Sequence, residues 1–181
     1  MRRTVLFIVG GILLGGIIHV AIVFMVPLYA SHDAWAEMRQ FGPDGRFHLL
    51  PTPQPGSKAL SSLDPLMLQA VCVFSLADGP VRIRANLPDE FWSVAVFDRG
   101  GRNVYSLNDR AAEHEQLDLA ILTSLQMAQM RQNPPASLES AIVVELPIDA
   151  GFVLLRSFVP DDSMTPQATV ALRSADCSGT L

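Results

Sequence analysis

The side chains in this 181-residue chain that could do chemistry are few and scattered. Arg156 stands in Val153-Leu154-Leu155-Arg156-Ser157-Phe158-Val159, where strand alternation places it with Leu154 and Phe158, away from obvious solvent positions. A buried guanidinium needs partners, and Asp98, Asp109 and Glu145 are the candidates. The plainer expectation is a structural ion pair. The functional one is an anion- or carboxylate-binding site lined by Trp92 and Tyr105. A second polar patch, Tyr105-Ser106-Leu107-Asn108-Asp109-Arg110, follows a strand, where binding groups often lie. Asn and Asp also make turns there by bonding their own backbone. Trp92, Tyr105, Asn108, Asp109 and Arg156 therefore form the candidate ligand-binding set.

Other chemistries find less support. The cysteines are Cys72 and Cys177, too few for a disulfide-dense scaffold or a four-cysteine metal site. They either pair, tying a central strand to the carboxy-terminal tail, or Cys72 is a buried free thiol between Val71 and Val73; spacing alone does not decide. Neither sits in a CxxC or CxxCH setting. His19, His32, His48 and His114 form no HExxH, and Glu113-His114-Glu115 reads as a solvated loop, so no metal is expected. No GxSxG elbow, P-loop or dinucleotide fingerprint is present, and no cofactor is expected. The adjacent carboxylates Asp89-Glu90 and Asp161-Asp162 read as solvated turns or caps. An enzyme is the less favoured reading.

The net charge of -5 argues against a nucleic-acid binder, which normally carries a basic face. With 49% hydrophobic and 17% charged residues, the chain has the makings of a packed core rather than a disordered tail. Its most apolar stretch is Val5 to Val26, VLFIVGGILLGGIIHVAIVFMV. About 20 apolar residues cross a hydrocarbon core of about 30 Å, and a signal-peptide core is shorter, at roughly 7–15 residues. Leu28 in the −3 position before Ala30 is a poor cleavage signal. We expect an uncleaved anchor in the inner (plasma) membrane. Arg2 and Arg3 precede it, whereas Asp33 and Glu37 follow before Arg39, so the amino terminus is expected in the cytoplasm and the rest outside, in the periplasm of a Gram-negative host. Gly11, Gly15 and His19 are spaced by four on one helix face. Small residues there let a second helix approach closely; the plainer reading is that glycine is simply common in such helices.

Residues 1–30 thus read as cytoplasmic tip and anchor, 31–63 as a juxtamembrane helix and Pro-rich linker, and 64–181 as an external domain. SHDAWAEMRQF is expected to form a helix capped by Ser31 and ending at Gly42, lying at the membrane interface through Trp35 or packing on the domain. Gly42 to Ser62 is a linker or an extended arm. Asp64-Pro65 suits the start of a short helix. Strands are expected at 71–76, 81–85, 91–98, 102–107, 116–122, 140–146 and 151–159, with a helix over 124–132 and another over 161–175 capped at Asp162 or Ser163. Asp78-Gly79-Pro80 and Arg99-Gly100-Gly101 mark turns. Trp92, Val94 and Val96 face one way while Phe91, Ala95 and Phe97 face the other, so this strand is covered on both sides. The pattern predicts a mainly β (α+β) domain, an antiparallel sandwich or jelly roll with a few short helices.

The run Phe91-Trp92-Ser93-Val94-Ala95-Val96-Phe97-Asp98, followed by Asn103-Val104-Tyr105-Ser106-Leu107-Asn108-Asp109-Arg110, resembles the FWS…YD…G…N…R pattern of two related domains of unknown function, 1254 and 1214. Gly151-Phe152-Val153-Leu154-Leu155-Arg156 with Val159-Pro160 resembles its end, so the likeness covers about residues 64–176 plus the anchor. The layout is similar to that of small membrane-anchored bacterial members of the 1254 type, which often stand beside a 1214-type neighbour. The resemblance implies a jelly-roll-like β fold and supplies no reaction, cofactor or catalytic residue. Larger soluble members carry both domains in one polypeptide; a split pair needs a second chain, which fits the Gly11, Gly15 and His19 face. The expectation is a binding or subunit module, held in the bilayer through residues 5–26, for a related anchored protein or a second copy of itself. The alternative is a periplasmic small-ligand binder or hydrolase built around Arg156 and Asp109.

Overall fold

The computed structural model describes residues 2–30, 33–52, 64–111 and 116–179; Ser31, His32, Glu113, His114 and Glu115 lie outside that set. Helix α1 covers Arg2–Ala30. Its stretch Arg2–Val26, with none of it buried, is long and apolar enough to cross a membrane, a property shared with signal sequences. At about 1.5 Å per residue it rises about 37 Å, more than the hydrocarbon thickness of about 30 Å.

Two sheets follow. The first has the order β1-β2-β8-β4-β5, from His48–Leu49 (β1), Met67–Ser75 (β2), Ala150–Phe158 (β8), Trp92–Asp98 (β4) and Asn103–Asn108 (β5). The second has the order β7-β6-β3-β9, from Ile142–Glu145 (β7), Gln116–Leu122 (β6), Val81–Asn86 (β3) and Asp176–Ser178 (β9). Ala70, Cys72, Val94, Val96, Val153 and Leu155 of the first sheet meet Val81, Ile83, Leu117, Leu119 and Ile121 of the second in one buried cluster. Each such side chain withdrawn from water contributes about 1.5–3 kcal/mol. Cys72 of β2 and Cys177 of β9 are joined within this cluster, 6.6 Å apart at Cα and 105 residues apart in sequence, so the bridge links the two sheets through the core.

Each sheet is also covered on part of its outer face. Helix α2, Asp33–Arg39, packs on the first sheet: Trp35, Met38 and Phe41 meet Leu50, Val71, Val73 and Phe152. Helix α3, Ser124–Gln132, begins in a capping box in which the Thr123 hydroxyl accepts from the Gln126 N–H and the Gln126 side chain accepts from the Thr123 N–H. With the turn at 136–138 it covers Ala120, Leu122 and Val143 on the second sheet. Helix α4, Thr165–Ser174, closes the core with Ala171 and Leu172.

Several expectations need correction. The sheets are not wholly antiparallel: β6 and β7 run parallel, because α3 carries the chain back across the sheet before β7, the crossover that parallel neighbours require. Asp64-Pro65 starts no helix. The Asp64 carboxylate accepts from the Leu66 N–H at 2.9 Å and its carbonyl from the Met67 N–H at 3.2 Å, a turn that delivers the chain straight into β2. Nine residues of β2 pairing with β8 outweigh the local helix signal. The helix expected over 161–175 is divided: Asp161 caps a short 3-10 turn, Asp162–Met164, before α4 begins. Strand β9 carried no expectation, being only three residues long. Within the segment read as linker or arm, residues 48–49 form β1 at the sheet edge.

Replacing both Cys72 and Cys177 by alanine should lower unfolding free energy by about 4–5 kcal/mol, the chain-entropy cost of releasing a loop of roughly 100 residues. Denaturant unfolding of both chains checks it. Equal stability, or native thiols that react freely with an alkylating agent, would show that the bridge is not formed.

Candidate functional site

Register determines which of the candidate residues can meet. Side chains of directly paired strand residues share a face. Gln69 pairs with Arg156, Arg156 with Ser93, and Ser93 with Asn108. These four make a polar row across β2, β8, β4 and β5 on the outer face of the first sheet. On one side runs the row Val71, Leu154, Ala95 and Ser106. On the other, Met67 pairs with Phe158, whose N–H donates to the Phe91 carbonyl at 2.8 Å. Arg156 thus lies in a polar strip between two largely apolar ones. Helix α2 covers Phe152, and beyond it Leu154, Arg156 and Phe158 are only half-buried.

The guanidinium has no acidic partner among the described residues. Its Nε is buried without a hydrogen bond, and so is Oδ1 of Asp109, in the 3-10 turn Asp109–Ala111 that follows β5. None of the three acids expected to pair with Arg156 does so among the described residues. Asp98 belongs to Arg102, Asp109 makes no ion pair, and Glu145 lies on the second sheet.

The structure separates the candidate set. Arg156 and Asn108 share the outer face. Trp92 faces the core at 2% exposure beside Ser157, and Tyr105 pairs with Val96 and packs on the same core. The reason is parity: Trp92 adjoins Ser93, and Ser93 is in register with Arg156, so Trp92 must point the other way. Gln69, Ser93, Phe91 and Phe158 take the places given to Trp92 and Tyr105. The alternation already read for Trp92, Val94 and Val96 held the signal; the strand pairing did not follow from it. On α1, a Cβ built on Gly11 or Gly15 meets nothing within 4 Å, so the face shared with His19 is open.

The hairpin that carries Asn108 is fixed by Asp98. This carboxylate accepts from the Arg102 N–H at 2.9 Å and from its Nε at 2.8 Å, while Gly101 takes φ 75° in the turn. Burial pushes the Asp98 pKa up, but the hydrogen bonds and charge of Arg102 outweigh it and hold the group below its ordinary value. Beyond this turn, the guanidinium of Arg99 lies 5.1 Å from the ring centre of Trp35, and that of Arg39 lies 4.7 Å from it, so α2 and the hairpin are tied together.

Comparison with known proteins adds the fold's relatives. The family described as a protein of unknown function (DUF1254) matches residues 45–175. No curated protein matches. The crystal structure of the VPA0106 protein from Vibrio parahaemolyticus is similar with TM-score 0.58 and 15% identity, over 84% of this chain and 37% of that one. An uncharacterized protein from Burkholderia cenocepacia gives TM-score 0.47 and 12% identity, over 79% of this chain and 38% of that one. The chain therefore spans less than two thirds of either solved protein's length.

Two outcomes follow from this geometry. Arg156→Leu keeps the apolar stem and removes an unpaired, partly desolvated charge, so its melting temperature should equal or exceed that of the parent; a clear drop would assign Arg156 to holding the sheet. Because the folded pKa of Asp98 lies below its unfolded value near 3.8, its stabilisation is fully present above that pH and is lost as pH falls through the folded pKa. In acid titrations of stability, Asp98→Asn should lose part of that fall. A curve of unchanged shape would remove Asp98 as a source of acid sensitivity.

Proposed function

The chain belongs to the DUF1254 family of proteins of unknown function, and on that premise we propose that it is a single-pass envelope protein whose external domain is a binding or subunit module. In this reading α1 is an uncleaved anchor in the inner membrane with its amino terminus in the cytoplasm. The jelly-roll-like domain stands in the periplasm and docks a related membrane-anchored protein. The observation that carries the proposal is the apolar helix itself, whose stretch Arg2–Val26 is not buried and whose Gly11, Gly15 and His19 face is open. Lipid can cover the aliphatic side chains; the glycine face suits a second helix at close approach.

Further features support the reading. Arg2 and Arg3 stand on the side expected to remain in the cytoplasm. A disulfide between Cys72 and Cys177 suits an oxidising compartment outside it. A second reading is favoured by the unpartnered Nε of Arg156: a small anionic ligand, carboxylate above all, held at Arg156, whether for binding or for hydrolysis.

Full-length protein extracted from its own host in mild detergent should carry a near-stoichiometric, membrane-anchored partner. Gly11→Leu with Gly15→Leu should abolish that association while leaving the protein in the membrane fraction. A chain that purifies alone sinks the subunit reading. Association that survives both substitutions moves the contact from the helix to the β domain.

A further inference from the structure

The outer face of the second sheet holds a groove that owes nothing to Arg156 or to the membrane helix. Val81, Ile83 and Ala85 point into the core, so Arg82, Arg84 and Asn86 point outward. On the neighbouring strands, Asp118 stands opposite Arg84, Gln116 opposite Asn86, and Asp176 opposite Arg84 on its other side. Helix α3 covers only the β6–β7 half of this face. Three separate hollows adjoin this face, neighbours sharing lining residues. One of about 310 Å³ includes Arg84, Asn86, Gln116, Asp118 and Asp176. The next, of about 300 Å³, shares Gln116 and Asp118 with the first and adds Ser140 and Glu139. The third, of about 290 Å³, shares Glu139 with the second and is lined by Met127, Met130, Pro134, Leu138 and Val143. The first two are at the lower end of the range of about 300–1,000 Å³ typical of ligand sites, and the third falls just below it.

The polar end is fixed and close to neutral. Arg82, 8% exposed, clamps Asp118 through Nε at 2.8 Å and Nη2 at 2.6 Å. Arg84 donates to Asp176 at 2.8 Å. Arg82 and Arg84 are thus each matched by an acid, and Glu139 further along adds a negative charge without an ion pair among the described residues, so an anionic ligand is disfavoured. What remains unspent is hydrogen-bonding capacity: the side-chain amides of Asn86 and Gln116 have no hydrogen bond among the described residues, Arg84 engages through one nitrogen, and the clamped Asp118 keeps free lone pairs. Donors and acceptors alternate across a rigid sheet, a pattern that hydroxyl groups match because each both donates and accepts. The far end is mainly apolar, with Arg131 and Glu139 also in its lining and two methionines that adapt to varied shapes.

We propose that this groove binds an uncharged polyhydroxylated head group, seated on Asn86, Gln116, Arg84 and Asp118, whose apolar tail enters the hollow between α3 and Val143. The proposal is independent of the subunit reading.

The test uses full-length protein in phosphatidylcholine nanodiscs, titrated with p-nitrophenyl maltoside, with maltose and with p-nitrophenyl phosphate. The maltoside should bind saturably, maltose more weakly, and the phosphate ester not at all. Asn86→Ala with Gln116→Ala should weaken maltoside binding about tenfold, the effect of losing two hydrogen-bonding partners, with an unchanged melting curve. Should that pair disturb folding, the near-isosteric Asn86→Asp and Gln116→Glu replace it. Met127→Lys should bring the maltoside down to the affinity of maltose. No saturable binding of the maltoside, binding indifferent to the amide substitutions, or a preference for the phosphate ester would each overturn the proposal.

Discussion

Strand β8 is the constraint from which the rest of the molecule is built. It pairs with β2 along Ala150–Phe158 and with β4 along Gly151–Ser157, so its backbone is satisfied on both edges and its side chains must be covered on both faces. Gly151 sits where a Cβ would fall on the Phe97 carbonyl, so β4 reaches β8 only because that position has no side chain. Inward, Val153 and Leu155 help form the core shared with the second sheet. Outward, Phe152 stacks on Phe97 with ring centres 4.9 Å apart, and α2 lies over this end. Helix α2 thus lies on the sheet, and its cover ends before Arg156. The half-exposed strip around that arginine is what α2 leaves uncovered.

The two outer faces treat their arginines in opposite ways. Arg82 is buried and clamped bidentately by Asp118, a pairing that offsets its desolvation. Arg156, on the other sheet, has Gln69, Ser93 and Asn108 in its row and no carboxylate. A guanidinium with one buried, unbonded nitrogen detracts from stability, and stability alone gives no reason to keep it there. Arg82 therefore reads as architecture. Arg156 has no such counter-charge among the described residues.

How much of this was legible in the sequence follows the same division. Period-two alternation located most of the strands, and the apolar two-sided run Phe91–Phe97 is covered on both faces at Ala95 and Phe97 but not at Phe91, which stays exposed. Local turn chemistry placed the hairpin at Arg99-Gly100-Gly101, and the start of α3 fell where Thr123 and Gln126 cap it. What the sequence could not supply was pairing. Trp92 and Tyr105 looked like walls for Arg156 because all three flank the same motif, yet the register of β4 against β8 puts them on the opposite face. The Asp64-Pro65 helix failed because a long non-local pairing outweighs a local propensity. Strand β9 escaped because three residues carry no period of their own; the bond to Cys72 and the pairing with β3 hold it.

The cross-sheet bridge also bears on how the two outer faces could work together. Cys72 lies between Val71 and Val73, whose side chains pack under α2, while Cys177 lies between Asp176 and Ser178 at the rim of the polar groove. One covalent link therefore joins the strand that seats α2 to the strand that supplies one wall of the groove. Asp176 gains its fixed position from that link as well as from Arg84 and Ser178. Burial pushes its pKa up, yet those partners bring it below its ordinary value, so the wall stays charged and pinned at neutral pH. A rigid frame of this kind suits recognition by preorganised groups, where little ordering remains to oppose binding. It suits much less a mechanism that needs the two sheets to slide. Both faces are thus carried on one closed, cross-linked core.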